Sequence, residues 1–263
     1  MKVVIFCGGQ GIRLREYSEA VPKPMVPVGL RPVLWHNMRY YAHFGHRDFI
    51  LALGYKADVI KDYFLHYSEA LSNDFVLSDG GRSLELLRSD IDEWRITFAY
   101  TGLNATIAER LVAARPHVRD EEIFLANYGD NLTDAPLDEI VEDFRGRSEV
   151  AALLSVRPTY SVHVVRTGGD QIVESIHDIH DSDLRINGGL FLFRQEIFDY
   201  IQPGEELVDQ PFQRLIAARL LVAYRHDGFW APMDTLKDKQ ILDELEVTGR
   251  PPWAVWLREP QHE

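Results

Sequence analysis

Three glycines, an arginine and a lysine stand close together early in the chain, and their spacing suits the chemistry of phosphate groups. Lys2 to Phe6 is β-branched and apolar, the composition of a buried strand. It runs straight into Cys7-Gly8-Gly9-Gln10-Gly11-Ile12-Arg13-Leu14. Gly8, Gly9 and Gly11 carry no Cβ to hold a bulky anion off the backbone, so their amides can cradle phosphate oxygens. Arg13 follows, and Lys23 is set between Pro22 and Pro24, which narrow the conformations open to the chain. Together they describe a triphosphate grip with two cations at its mouth. A glycine-rich turn after a strand also serves as a plain tight turn. No Gly-Lys-Ser/Thr follows, so this is not a P-loop, and Arg13 and Leu14 stand where a dinucleotide fingerprint needs its third glycine.

Two carboxylates are candidates to partner such a grip. Asp130 follows the apolar run Ile123 to Asn127 and a glycine, at the carboxyl end of a strand, where open α/β sheets place ligand groups. Asp234, in Pro232-Met233-Asp234-Thr235, stands before an amphipathic run. Magnesium takes one or two carboxylates plus phosphate oxygens, so both are candidate ligands. Taken alone, Asp234 equally suits a helix N-cap and Asp130 an Asx-turn. Asn187-Gly188-Gly189 precedes an apolar strand, where it suits either a ligand approaching the backbone or a β-bulge. The ten histidines lack metal-site spacing, and the single Cys7 excludes an internal disulfide and a cysteine-based zinc cluster. Cys7 reads better as a small buried strand-end residue than as a nucleophile.

The elements that must carry these residues alternate between strand-like and helix-like. Helical spacing covers Leu34–Phe44, Ala57–Leu71, Ile107–Ala114, Leu137–Phe144 and Asp234–Glu246; strand-like runs cover Asp48–Leu53, Ile96–Tyr100, Ile123–Asn127, Val150–Val156 and Gly189–Phe193. This rhythm predicts an α/β fold, a Rossmann-like and mostly parallel sheet flanked by helices. Arg82–Arg95 reads as a surface excursion, and Tyr160–Ile186 as a hairpin or small inserted β loop. At 263 residues, one domain accounts for the whole chain, with a nucleotide-binding half over about 1–135 and an acceptor-binding half over about 136–263. A net charge of −13 argues against nucleic acid or an anionic membrane as partner. The apolar runs are too short to span a bilayer and no secretory leader precedes the first strand, so a cytoplasmic protein is expected.

With these residues assembled, the chain resembles the sugar-1-phosphate nucleotidyltransferases, and among them the glucose-1-phosphate cytidylyltransferases. The resemblance is carried by Gly8 to Leu14, Pro22-Lys23-Pro24-Met25, Leu34-Trp35-His36, Gly54-Tyr55-Lys56, Tyr128-Gly129-Asp130, Ile186 to Gly189, and Gly228 to Lys239. It implies a GT-A-like fold and magnesium-dependent transfer of a nucleotidyl group, CMP from CTP, to a sugar-1-phosphate or a phosphorylated cyclitol. It also implies a homo-oligomer. Arg13 and Lys23 would be catalytic, Thr101 and Gly102 would join the nucleotide site, and Asp130 and Asp234 would hold the metal. Asn187, Gly188 and Gly189 would face the acceptor. Three departures stand out. Ile12 replaces a hydroxyl residue, Ala108 and Glu109 align with two glycines near the base, and Asp178 aligns with a lysine of the acceptor site. Glu109 and Asp178 would each bring an anion towards bound phosphate, with Arg185 as the compensating cation. These changes leave a second reading open, a catalytically weak nucleotide- or sugar-nucleotide-binding subunit with a regulatory or scaffolding role.

Overall fold

The computed structural model describes residues 1–9 and 21–258. Its centre is a seven-stranded sheet. We label the strands β1 (Lys2–Cys7), β2 (Asp48–Leu53), β3 (Arg95–Tyr100), β4 (Ile123–Asn127), β5 (Ala151–Val156), β6 (Ile186–Arg194) and β7 (Leu221–His226). Their spatial order is β7-β5-β6-β4-β1-β2-β3, and β6 alone runs antiparallel to its neighbours. The expected mostly parallel, helix-flanked sheet is therefore present. Strand β1 shows why it forms. Val3, Ile5 and Cys7 enter the core on one face while Val4 and Phe6 enter the core on the other. A strand covered on both faces needs an unbroken apolar run, and this one has it.

Helices α1 (Val33–His43), α2 (Ala57–Leu65) and α4 (Leu137–Arg145) lie with the first core, and α3 (Ile107–Val118) and α5 (Gln210–Ala217) with the second. Among the described residues no helix is long and apolar enough to cross a membrane. A third, smaller core lies outside the sheet. Val26, Val28, Val33, Leu132, Met233, Leu242 and Trp253 pack together there, joining the segment after Lys23 to helix α6 (Leu236–Val247). Two exposed hairpins extend from the body, Phe75–Ser78 with Ser83–Leu86 and His163–Thr167 with Val173–Asp178. The second lies within the segment read from sequence as an inserted loop.

Among the boundaries that differ from the sequence expectation, two have identifiable reasons. The helix expected over Ala57–Leu71 ends at Leu65, because the next residues turn to serve a buried arginine. Arg31 donates to Ser68 O and Ser72 Oγ and stacks over the Tyr67 ring at 4.2 Å. The helix expected to start at Asp234 is capped one residue later. Thr235 and Asp238 form a reciprocal capping box, so Asp234 is not the cap.

His36 ties the third core together. Its Nε2 donates to Val28 O at 3.0 Å, and its Nδ1 accepts from Trp253 Nε1 at 3.3 Å. Burial lowers its pKa from 6.5 to about 4, so the ring is neutral. Between those two values an unfolded chain takes up a proton that the folded chain refuses, so stability falls as the pH drops through that window. We expect a loss of about 2 kcal/mol on acidification across this range, with a smaller loss in His36→Gln, read from urea unfolding at a series of pH values.

Candidate active site

The structure brings Lys23, Asp130 and Asp234 into one cluster. Lys23 Nζ donates to Asp130 Oδ2 at 2.6 Å and also to Asp234 Oδ1. A short ladder accounts for the approach of the two carboxylates. Asn131–Thr133 pairs antiparallel with Trp230–Pro232, in the register Asn131 opposite Pro232. One step beyond, Met233 N donates to Asp130 O at 2.7 Å. Asp130 and Asp234 are thus delivered to the same end of one ladder by two distant parts of the chain. Lys23 arrives from below, on a single 3₁₀ turn whose Pro24 and Met25 are buried. Burial is the largest influence on Asp130 and raises its pKa, an effect that Lys23 reduces without cancelling. Burial pulls the Lys23 ammonium down, but the two carboxylates more than offset it and leave its pKa raised.

The turn carrying Asp130 is held by buried amides. Asn127 Oδ1 accepts from Gly129 N at 2.7 Å and from Asn37 Nδ2 at 2.8 Å; Asn37 Nδ2 also donates to Asn131 O at 2.9 Å. Gly129 has φ +76°, and a Cβ there would lie 2.9 Å from Ile5 Cγ2, so only glycine suits this position. The turn also meets Asn187-Gly188-Gly189. Tyr128 N donates to Gly189 O, Asn187 Nδ2 donates to Tyr128 OH, and Trp230 Nε1 donates to Gly188 O. These three residues lie inside β6, not before it. The register against β5 shifts there, which makes the segment a bulge facing the Asp130 turn.

On the other side stands a residue that sequence reading missed. Arg110, on α3, is 3% exposed and points its guanidinium into the carboxyl ends of β1, β2 and β3. It donates to Gly8 O (3.1 Å), Leu53 O (3.3 Å), Thr101 Oγ1 (2.7 Å), Gly102 O (2.9 Å) and Leu103 O (3.3 Å). A Cβ on Gly8 would overlap this guanidinium, so the glycine admits the arginine. Thr101 and Gly102 accordingly hold Arg110 at the end of β3. The only legible signal was a charged residue on the helix face that also carries Ala108, Leu111 and Ala114. Burial and the nearby Asp130 push the Cys7 thiol up, so it stays protonated and is no nucleophile. Gly11 and Arg13 lie outside the described residues.

Comparison with known proteins decides the family. Its sequence profile, described as nucleotidyl transferase, matches residues 2–231. The chain belongs to the nucleotidyl transferase family. It is 34% identical over 258 residues to a protein of Bacillus subtilis strain 168 named probable glucose-1-phosphate cytidylyltransferase, covering 97% of this chain and 100% of that one. It is 34% identical over 257 residues to glucose-1-phosphate cytidylyltransferase of Salmonella typhimurium, with the same coverage. A UDP-glucose pyrophosphorylase solved with UDP-glucose shares the fold, with TM-score 0.70 at 14% identity over 95% of this chain and 99% of that one.

Two of the three departures read differently once their side chains are placed, and the third, Ile12, lies outside the described residues. Glu109 is engaged with its own helix. It completes a capping box at the start of α3, accepting from Thr106 N at 2.8 Å while Thr106 Oγ1 accepts from Glu109 N. Ala108 is likewise buried in the second core. Asp178 caps the turn that follows its hairpin, accepting from His180 N at 2.9 Å and Ser161 Oγ at 2.7 Å. Those hydrogen bonds hold its carboxylate below the ordinary range. Arg185 donates to Ser155 O at 3.0 Å and pairs with Asp227 at 2.5 Å, bracing strand ends beside Asn187.

The Arg110 clamp gives a direct expectation. Arg110→Met removes the charged donor shared by four carbonyls and a hydroxyl, of which Leu53 O and Gly8 O keep the backbone donors Thr101 N and Tyr55 N, and hydrogen bonds from a charged donor contribute about 1.5–3 kcal/mol each. Urea unfolding should show a loss of at least about 2 kcal/mol, and Arg110→Lys should recover only part of it.

Proposed function

We propose that the protein is a cytidylyltransferase that joins CMP from CTP to a sugar-1-phosphate and releases pyrophosphate, with magnesium as its metal. One observation carries the reading: Lys23 stands between Asp130 and Asp234 in a nucleotidyltransferase whose full-length relatives bear the cytidylyltransferase name. The donor set suits magnesium. Among the described residues no three carboxylate, histidine or cysteine side chains gather, which leaves two carboxylates and room for phosphate oxygens. Magnesium bound there would neutralise charge on two anionic reactants that otherwise repel each other.

The remaining work falls to this chain's own groups. Amides of Gly8, Gly9 and Gly11 hold the triphosphate, and Arg13 balances charge on the departing pyrophosphate. Lys23 draws the α-phosphate and the acceptor phosphate together. The acceptor's phosphate oxygen is already anionic, so no general base is required; alignment and electrostatic stabilisation supply the rate. Asn187, Gly188 and Gly189 line the acceptor side, with Arg185 adding positive charge behind them. The chain acts as one domain, its nucleotide half near 1–135 and its acceptor half near 136–263, and the metal pair straddles the two. Glu109 and Asp178 each cap their own segment, which favours an enzyme over a merely binding subunit.

Pyrophosphate release on incubation with magnesium, each nucleoside triphosphate and a panel of sugar phosphates and phosphorylated cyclitols tests the assignment. CTP with a sugar-1-phosphate should be the best pair, and Arg13→Ala and Lys23→Ala should each lose about a hundredfold or more in kcat. Tight CTP binding without turnover on any acceptor would overturn the assignment.

A further inference from the structure

Asp130 and Asp234 form a carboxylate pair whose charge Lys23 offsets in part. The lysine donates one hydrogen bond to each acid. Two carboxylates that share one ammonium lie close enough to repel each other. The backbone beneath the lysine is fixed. Met25 N donates to Pro22 O at 2.8 Å and Val26 N to Lys23 O at 3.1 Å, and Pro24 and Met25 are buried. The ammonium, in contrast, ends a flexible four-carbon stem, and the cluster opens to solvent on the Asp234 side, where that side chain is 38% exposed. A monovalent and a divalent cation cannot both sit on the same two oxygens without strong repulsion.

We propose that Lys23 is a resident counter-ion of this pair, which keeps a divalent cation out until the phosphates of a nucleotide draw the ammonium away. Metal and nucleotide therefore enter together, and the lysine that leaves the carboxylates is the one delivered to the reacting phosphate. This rests on the reading of Asp130 and Asp234 as the metal pair. It adds an order of events to that reading. The device also keeps the pair stable in a chain of net charge −13 when no nucleotide is bound.

Calorimetric titration of the full chain with magnesium, with and without CTP, tests the proposal, alongside the magnesium-induced shift in Tm. The wild type should take up magnesium only when CTP is present. Lys23→Met and Lys23→Gln should bind magnesium alone at least about tenfold more tightly than the wild type, and magnesium should raise their Tm. The double variant Lys23→Met with Asp234→Asn should lose that gain. If Lys23→Met folds only in the presence of magnesium, that also supports the proposal. Equal magnesium affinity of wild type and both single variants without CTP would overturn the counter-ion while leaving the metal pair standing. No magnesium binding by any form, CTP present, would overturn both.

Discussion

Two acids from distant parts of the chain must stand side by side without driving each other apart, and most of the structure around them answers that demand. The ladder between Asn131–Thr133 and Trp230–Pro232 sets their separation, and its backbone bond from Met233 to Asp130 extends the register to the acids themselves. Beneath it the third core anchors both contributors, since Leu132 and Met233 pack with Val26 and Val28, close behind Lys23. The lysine then offsets part of the charge. Removing it would take the ammonium from Asp130, a partly buried carboxylate, which proteins tolerate poorly.

The opposite wall of the site is organised by a cation that meets no acid within hydrogen-bonding reach among the described residues. Arg110 gathers four carbonyls and a hydroxyl from the ends of three parallel strands, the region where an open α/β sheet receives its ligand. Its burial lowers its pKa but leaves it charged. A guanidinium satisfied by backbone oxygens ties three loops together and brings positive charge to the wall where the triphosphate is proposed to bind. The glycine at position 8 is part of the same arrangement, because any side chain there would displace the arginine.

Much of this was legible in the sequence, and the unread remainder shares a physical cause. Strands β2 and β4 begin and end where their apolar runs do, since a strand buried on both faces has no freedom to be polar. The Gly8 loop, Lys23 and the two aspartates were visible as types in a spacing. What could not be read was which neighbour each side chain would find. Glu109 and Asp178 looked like intruders at a phosphate site because alignment gives a position but no direction; both turn back to cap their own segments. Thr235, not Asp234, caps α6, a choice between adjacent cap formers that depends on where the ladder stops. Arg110 was missed because a charged residue on a helix is normally solvated, and only the tertiary fold buries it.

In the proposed function Asp130, Asp234 and Lys23 form one site for a metal and the phosphates it accompanies. A crystal structure of the protein with manganese and a non-hydrolysable CTP analogue, the metal located by its anomalous signal, tests this. The metal is expected between Asp130 and Asp234, with Lys23 moved off the carboxylates onto a phosphate oxygen. A metal bound elsewhere, with Lys23 still bridging the two acids beside an ordered nucleotide, would contradict it.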